Sequence, residues 1–155
     1  DGLKTWCERR DRSIKKYKVE NYKKLQEMTL VTSKNHRNEA LKKIINKVGF
    51  KQVNVMGSIG CKIASILRGE CDIYISLSLP GKSSPKDWDF AAPEAILKAA
   101  GGQITNLDNE ELSYENQGFK QEGIIIATNN RESHKSVCLE IKKIIEKFEL
   151  LPIDL

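Results

Sequence analysis

Ring and thiol chemistry is thin in this sequence, which holds two Trp, four Tyr, four Phe, two His, four Cys and four Pro. Cys7, Cys61, Cys71 and Cys138 form no Cys-x-x-Cys pair and have no histidine at ligand spacing, so neither a disulfide framework nor a zinc site is expected. Cys61 and Cys71 sit in apolar stretches and read as small buried hydrophobes. Long hydrophobic runs are absent too. The richest, Gly123-Ile124-Ile125-Ile126-Ala127, is far too short to cross a bilayer, and no membrane partner is expected. No apolar segment follows Asp1-Gly2-Leu3-Lys4 as a secretory signal would require, so a reducing cytoplasm is the expected setting. The missing initiator Met suggests a start inside a longer protein.

What is present suits one soluble domain. The chain has 155 residues, of which 39% are apolar and 30% charged, a composition that supports a core and argues against disorder. The net charge of +5 is uneven. Residues 1–50 carry 14 Lys+Arg against 6 Asp+Glu, while the remainder carries 12 against 15. A basic third can meet nucleic acid or a phosphate-rich small molecule. Its lysines are scattered, with no groove-reading motif, so a solvated surface is the simpler reading and no nucleic-acid partner is expected.

Residues 1–27 are polar and read as turns or short extended pieces that connect to an α/β core over 28–150. Short strands are expected at Met28–Thr32, Val53–Met56, Asp72–Ser76, Gln103–Leu107 and Ile124–Ala127. Between them the spacing predicts helices over Asn38–Val48, closed by Gly49, and over Ile59–Leu67. A third helix follows Asp89, with Pro93 in its first turn, and a fourth runs from about Ser133 to Phe148. Pro80, Gly81 and Pro85 make 79–87 a loop, and 112–121 reads as polar loop. The alternation predicts an α/β fold with a mixed, largely parallel sheet of about five strands flanked by helices.

Three constellations fall at strand-to-helix junctions, where open α/β sheets place ligands. In Trp88-Asp89, the aspartate can cap the following helix or hold a hard cation such as magnesium, which shares its shell with water and phosphate. Neighbouring Asp87 belongs to the charged loop and reads as solvated. In Gly57-Ser58-Ile59-Gly60-Cys61-Lys62, a glycine-rich turn opens a helix whose N–H groups and dipole favour an anion. Lys62 can reach a phosphate from that first turn or be an ordinary surface lysine, and the spacing is not that of a P-loop. In Ser33-Lys34-Asn35-His36, the serine and histidine can bind a sugar or phosphate or can shape a turn. No acid partner supports a nucleophilic triad.

Taken in order, these pieces resemble the inositol monophosphatase superfamily. Its signature of Trp-Asp, a small-residue helix and Ala-Gly-Gly appears as Trp88-Asp89-Phe90-Ala91-Ala92-Pro93 through Ala100-Gly101-Gly102. Ser-x-x-His, Gly-Ser and Gly-x-x-Asp-x-Tyr precede it, and the resemblance spans roughly Thr29 to Thr128. Within the superfamily the chain looks most like 3′(2′),5′-bisphosphate nucleotidases of the CysQ type, through Ser33, His36, Lys62, Pro80-Gly81-Lys82 and Ala92-Pro93-Glu94. Inositol phosphatases carry a glutamate where Ser76 aligns.

The resemblance implies a magnesium-dependent, lithium-sensitive phosphatase that removes the 3′-phosphate of adenosine 3′,5′-bisphosphate to give AMP. Asp89 would hold a metal ion near the leaving group, and Ser33, His36, Gly57, Ser58 and Lys62 would contact the nucleotide. The family's upstream Glu and its Asp-Pro-Ile/Leu-Asp-Gly-Thr motif have no match here, so the chain looks like the C-terminal half of such an enzyme, incomplete on its own. Its uncovered face should favour self-association, a homodimer included. The alternatives are an inositol or broad sugar-phosphate phosphatase and a non-catalytic nucleotide-binding domain.

Overall fold

A computed structural model describes residues 5–8, 10–16, 23–34, 38–115 and 117–151. An antiparallel hairpin, β1 (Trp6–Glu8) with β2 (Ile14–Lys16), stands apart from the main sheet. That sheet contains β3 (Thr29–Ser33), β4 (Gln52–Met56), β5 (Ile73–Ser78), β6 (Gln103–Asn106) and β7 (Gly123–Thr128), in the order β4-β3-β5-β7-β6. β3 pairs in parallel with β4 and β5, whereas β7 is antiparallel to β5 and β6. Four strands therefore share one direction and β7 alone is reversed.

The helices are α1 (Glu39–Val48), α2 (Ile59–Leu67), α3 (Asp87–Ala99) and α4 (Arg131–Lys147). From β3 the chain crosses through α1 to β4 on one side, then through α2 to β5 on the other. Right-handed crossovers in opposite directions put their helices on opposite faces. α1 and α4 accordingly cover Leu30, Ile73, Ile75, Ile124 and Ile126, while α2 and α3 cover Val31, Tyr74, Ile104, Ile125 and Ala127. β5 is buried along its whole length, as its central position requires. The edge strand β4 leaves Val53 and Val55 exposed.

Local chemistry sets the helix ends. Asn38 caps α1 by accepting from the Leu41 N–H at 2.8 Å, and Gly49 closes it at φ 71°. Leu41, Ile44, Ile45 and Val48 form its buried stripe. At the end of α3, Gly102 is demanded by packing. A Cβ there would lie 2.6 Å from both the Thr128 carbonyl oxygen and Leu97 Cδ1.

Several expectations need correction. α3 begins at Asp87 rather than after Asp89, so Pro93 is its seventh residue and lies beyond the first turn. Proline offers no N–H to the Asp89 carbonyl one turn back. Both residues line a cavity, so that carbonyl sits on an accessible side of the helix. Cys61 is exposed on α2 rather than buried, because the inward stripe of that helix runs through Lys62, Ile63, Ser65 and Ile66. Cys71 is buried as expected. α4 starts two residues early because Asn130 accepts from the N–H groups of Glu132 and Ser133.

One buried polar cluster lies in the core between α4, β6 and β7. His134 is 1% exposed, with Nε2 2.8 Å from Thr105 Oγ1 and Nδ1 2.8 Å from Thr128 Oγ1. Cys138 Sγ approaches the same ring at 3.5 Å. Burial pushes the imidazole pKa down to about 4, so the ring is neutral at pH 7.

Two stability predictions follow from these contacts. Gly102→Ala should cost about 1–3 kcal/mol in urea unfolding through overpacking against a backbone carbonyl. A wild-type midpoint would exclude the close approach. His134 binds its proton more weakly in the folded than in the unfolded state. Its stabilisation is therefore complete above the unfolded pKa near 6.5 and is lost as pH falls toward 4. Unfolding free energy should drop between pH 6.5 and 5 by up to about 1.4 kcal/mol per unit. His134→Gln should flatten that slope.

Candidate functional site

The C-terminal ends of β3, β4 and β5 open onto one cavity of about 780 Å³. It lies where the strand order reverses around β3, the position at which open α/β sheets bind ligands. Five sequence-selected residues line it: Ser33 at the end of β3, Gly57, Ser58 and Lys62 around the start of α2, and Asp89 in the first turn of α3. His36 lies outside the described residues. The floor follows from strand register. Val31 pairs with Tyr74 in the apolar core, so two residues further along Ser33 comes level with Ser76. Toward the strand ends the same face changes from hydrocarbon to hydroxyl.

Lys62 is the least expected feature. The surface-lysine reading fails, because the residue is only 1% exposed. Its Nζ donates to Ser33 Oγ at 2.9 Å and to the Gly57 carbonyl at 3.0 Å, and lies 5.4 Å from the centre of the Tyr74 ring. A buried ammonium needs such partners, since desolvation penalises its charged form. Burial lowers its pKa, and the Asp89 carboxylate acts in the opposite direction. The side chain thus fixes a positive charge beneath the cavity and ties α2 to β3.

α2 presents its N-terminus to the same space. Ser58 Oγ accepts from the Cys61 N–H at 3.1 Å, and Ile59 and Gly60, the first two residues of the helix, line the cavity. Their N–H groups precede the first intrahelical bond. A Cβ at Gly57 would meet nothing within 4 Å, and its φ is not positive, so this chain's own packing does not demand glycine there.

Asp89 fills the capping role, the first of the two that the sequence left open. Its Oδ2 accepts from the Lys86 N–H at 2.9 Å, and its own N–H donates to the Lys86 carbonyl at 2.9 Å, closing the helix start reciprocally. The carboxylate is nonetheless exposed and faces the cavity. Phe90, fully buried against Tyr74, fixes the roll of the helix that turns Asp89 outward.

The expectation for Asp87 is overturned: it is buried at 8% exposure, not solvated. Its carboxylate accepts from the Glu115 N–H and from Gln121 Nε2, both at 2.7 Å. Glu115 and Gln121 are thereby strapped to the start of α3. Lys86 Nζ donates to the Gly118 carbonyl at 2.8 Å, and Phe119 meets Trp88 with ring centres 5.9 Å apart. Tyr114 donates to buried Glu94, which also pairs with Lys98 at 2.6 Å. Among the described residues no three His, Cys, Asp or Glu side chains converge as metal ligands. Among the described residues Asp89 is the one cavity-lining carboxylate, and a single carboxylate would fit part of a magnesium shell, with water and phosphate oxygens to complete it.

The inositol monophosphatase family pattern matches residues 2–146. The chain belongs to the inositol monophosphatase family. Among curated relatives, mouse 3′(2′),5′-bisphosphate nucleotidase 1 is 31% identical over 109 residues, covering 69% of this chain and 34% of that protein. A 3′(2′),5′-bisphosphate nucleotidase from Dictyostelium discoideum is 33% identical over 116 residues, 74% of this chain and 34% of that one. Inositol monophosphatase 3 of Xenopus laevis is 30% identical over 63% of this chain and 28% of its own length. This family member spans about a third of the length of these relatives. Among solved structures, inositol monophosphatase-II from Staphylococcus aureus superposes with a TM-score of 0.62 at 23% identity, covering 90% of this chain and 49% of that one. An inositol monophosphatase from Anabaena gives 0.60 at 25% identity over 82% and 48%.

Sequence reasoning missed Ser78, Ser84 and Asn38 as lining residues. The alternation Tyr74, Ser76, Ser78 carried a usable signal, because β5 runs two residues further than expected. Asp87→Ala should release the strap, at about 2–4 kcal/mol for two hydrogen bonds to a buried carboxylate. Exchange of the Glu115 amide, which donates to Asp87, should speed up. Unchanged exchange would exclude the strap.

Proposed function

We propose that the protein carrying this chain is a magnesium-assisted phosphatase that removes the 3′-phosphate of adenosine 3′,5′-bisphosphate to give AMP. The observation that carries this reading is the pairing, in one cavity, of the buried Lys62 ammonium with the Asp89 carboxylate at the starts of two helices. The nucleotidase names of its relatives supply the substrate.

The chemistry assigned to this chain is binding and charge placement. Lys62 and the first N–H groups of α2 attract the phosphate and offset its charge. Ser33, which accepts from Lys62, keeps its own hydrogen to donate to a phosphate oxygen. Asp89 supplies one hard oxygen ligand at the opposite wall. When bound, magnesium compensates charge on the phosphoryl oxygens and acidifies water. Hydrolysis forms a P–O bond to water oxygen and breaks the ester P–O bond, and the departing 3′-oxygen takes up a proton. The inositol-phosphate reading keeps support from the Xenopus relative.

Asp89→Asn in the protein carrying this chain should lower turnover by orders of magnitude while leaving the fold intact, because amide oxygen is a poor substitute ligand for magnesium. Near-wild-type turnover would remove Asp89 from the metal site. The specificity constant kcat/KM should favour adenosine 3′,5′-bisphosphate over inositol 1-phosphate, and the reverse order would assign the sugar-phosphate reading. Tight nucleotide binding without magnesium, with no hydrolysis when it is added, would identify a binding module instead.

A further inference from the structure

Asp89 is an exposed side chain in the first turn of α3, and its carboxylate would turn freely unless something held it. One hydrogen bond does so. Oδ2 accepts from the Lys86 N–H at 2.9 Å, which leaves Oδ1 without a hydrogen-bond partner among the described residues. The direction of Oδ1 therefore depends on where Lys86 and the first turn of α3 sit.

That placement is set from outside the helix. Lys86 forms an antiparallel bridge with Lys120, and the Gln121 N–H donates to the Pro85 carbonyl at 2.9 Å. Lys86 Nζ reaches the Gly118 carbonyl, and Asp87 accepts from the Glu115 N–H and from Gln121 Nε2. Gln121 is 4% exposed, and its Nε2 also donates to the Ser113 carbonyl at 2.7 Å, so one amide joins Asp87 to a second point of the same segment. Farther along α3, Lys98 pairs with Glu111 at 3.0 Å and Tyr114 donates to Glu94. A buried carboxylate such as Asp87 is costly unless it is hydrogen-bonded, and this one sits two residues from the carboxylate that faces the cavity. Neither Asp87 nor Gln121 lines the cavity, so their route to a ligand runs through Asp89.

We infer that Asp87 and Gln121 are positioning residues for Asp89. Through the first turn of α3 and the Lys86 N–H, they fix the direction in which Oδ1 is presented to a divalent cation. The inference rests on the reading of Asp89 as a metal ligand and adds what orients it. Groups that orient a metal ligand in this way govern metal affinity by about 10–100-fold.

Titration of the protein carrying this chain with manganese(II), a paramagnetic stand-in for magnesium, tests this by water-proton relaxation and without turnover. Gln121→Leu and Asp87→Asn should each weaken manganese binding about 10-fold or more. Lys86→Met keeps the N–H to Asp89 and loses the bond to Gly118, so its loss should be smaller. That variant alters nothing in the core and reports even where a buried substitution unfolds the chain. In kinetics the loss should appear in the magnesium concentration for half-maximal turnover rather than in kcat. In an Asp89→Asn background the same substitutions should weaken manganese binding no further, because the group they orient is gone. Equal losses with and without Asp89 would overturn the inference, since a merely structural role gives that result. Wild-type affinity in all three variants, with binding lost in Asp89→Asn, would overturn the positioning alone. Wild-type affinity in Asp89→Asn itself would remove Asp89 from the metal site and the inference with it.

Discussion

A buried ammonium group organises this structure. Lys62 enters the protein from the first turn of α2, and its charge is tolerable only where oxygen atoms surround it. Ser33 from β3 and the carbonyl of Gly57 provide those atoms, and Asp89 from α3 supplies the opposing charge. One side chain thus links three segments that are separated in sequence and meet at the strand ends. The same contacts that keep the lysine charged also define the wall of the cavity.

That meeting point depends on topology. Because β4 and β5 lie on opposite sides of β3, the intervening helices are forced to opposite faces and the strand ends between them stay open. The reversed strand β7 then fills the slot between β5 and β6 and completes the core without closing the cavity. Core and site share a strand: β5 gives Ile73, Tyr74 and Ile75 to packing and then Ser76 and Ser78 to the opening.

A second constraint acts on α3. Its first turn must hold Asp89 outward while Phe90 remains in the core, and Glu115, Gly118, Phe119 and Gln121 secure that turn through Asp87, Lys86 and Trp88. Two adjacent acids therefore do different work. Asp87 is spent on backbone and amide partners, whereas Asp89 closes the helix start with one oxygen and still faces the cavity. The Trp-Asp pair marked this place in the sequence, but nothing in it distinguished the buried carboxylate from the exposed one.

The sequence by itself determined the order and type of the core elements. Hydrophobic spacing, Asn38 and Gly49 delimit α1, the Ile124–Ala127 run gives the interior strand β7, and Gly101-Gly102 ends α3, because period and cap chemistry are local. It also selected Ser33, Gly57, Ser58, Lys62 and Asp89, residues that the fold gathers around one cavity. The tertiary structure alone decided how deeply Lys62 and Asp87 are buried, that Cys61 is not, and that the Ser76 and Ser84 hydroxyls lack partners. Burial and hydrogen-bond satisfaction depend on groups brought together from distant parts of the chain, and no local pattern encodes them.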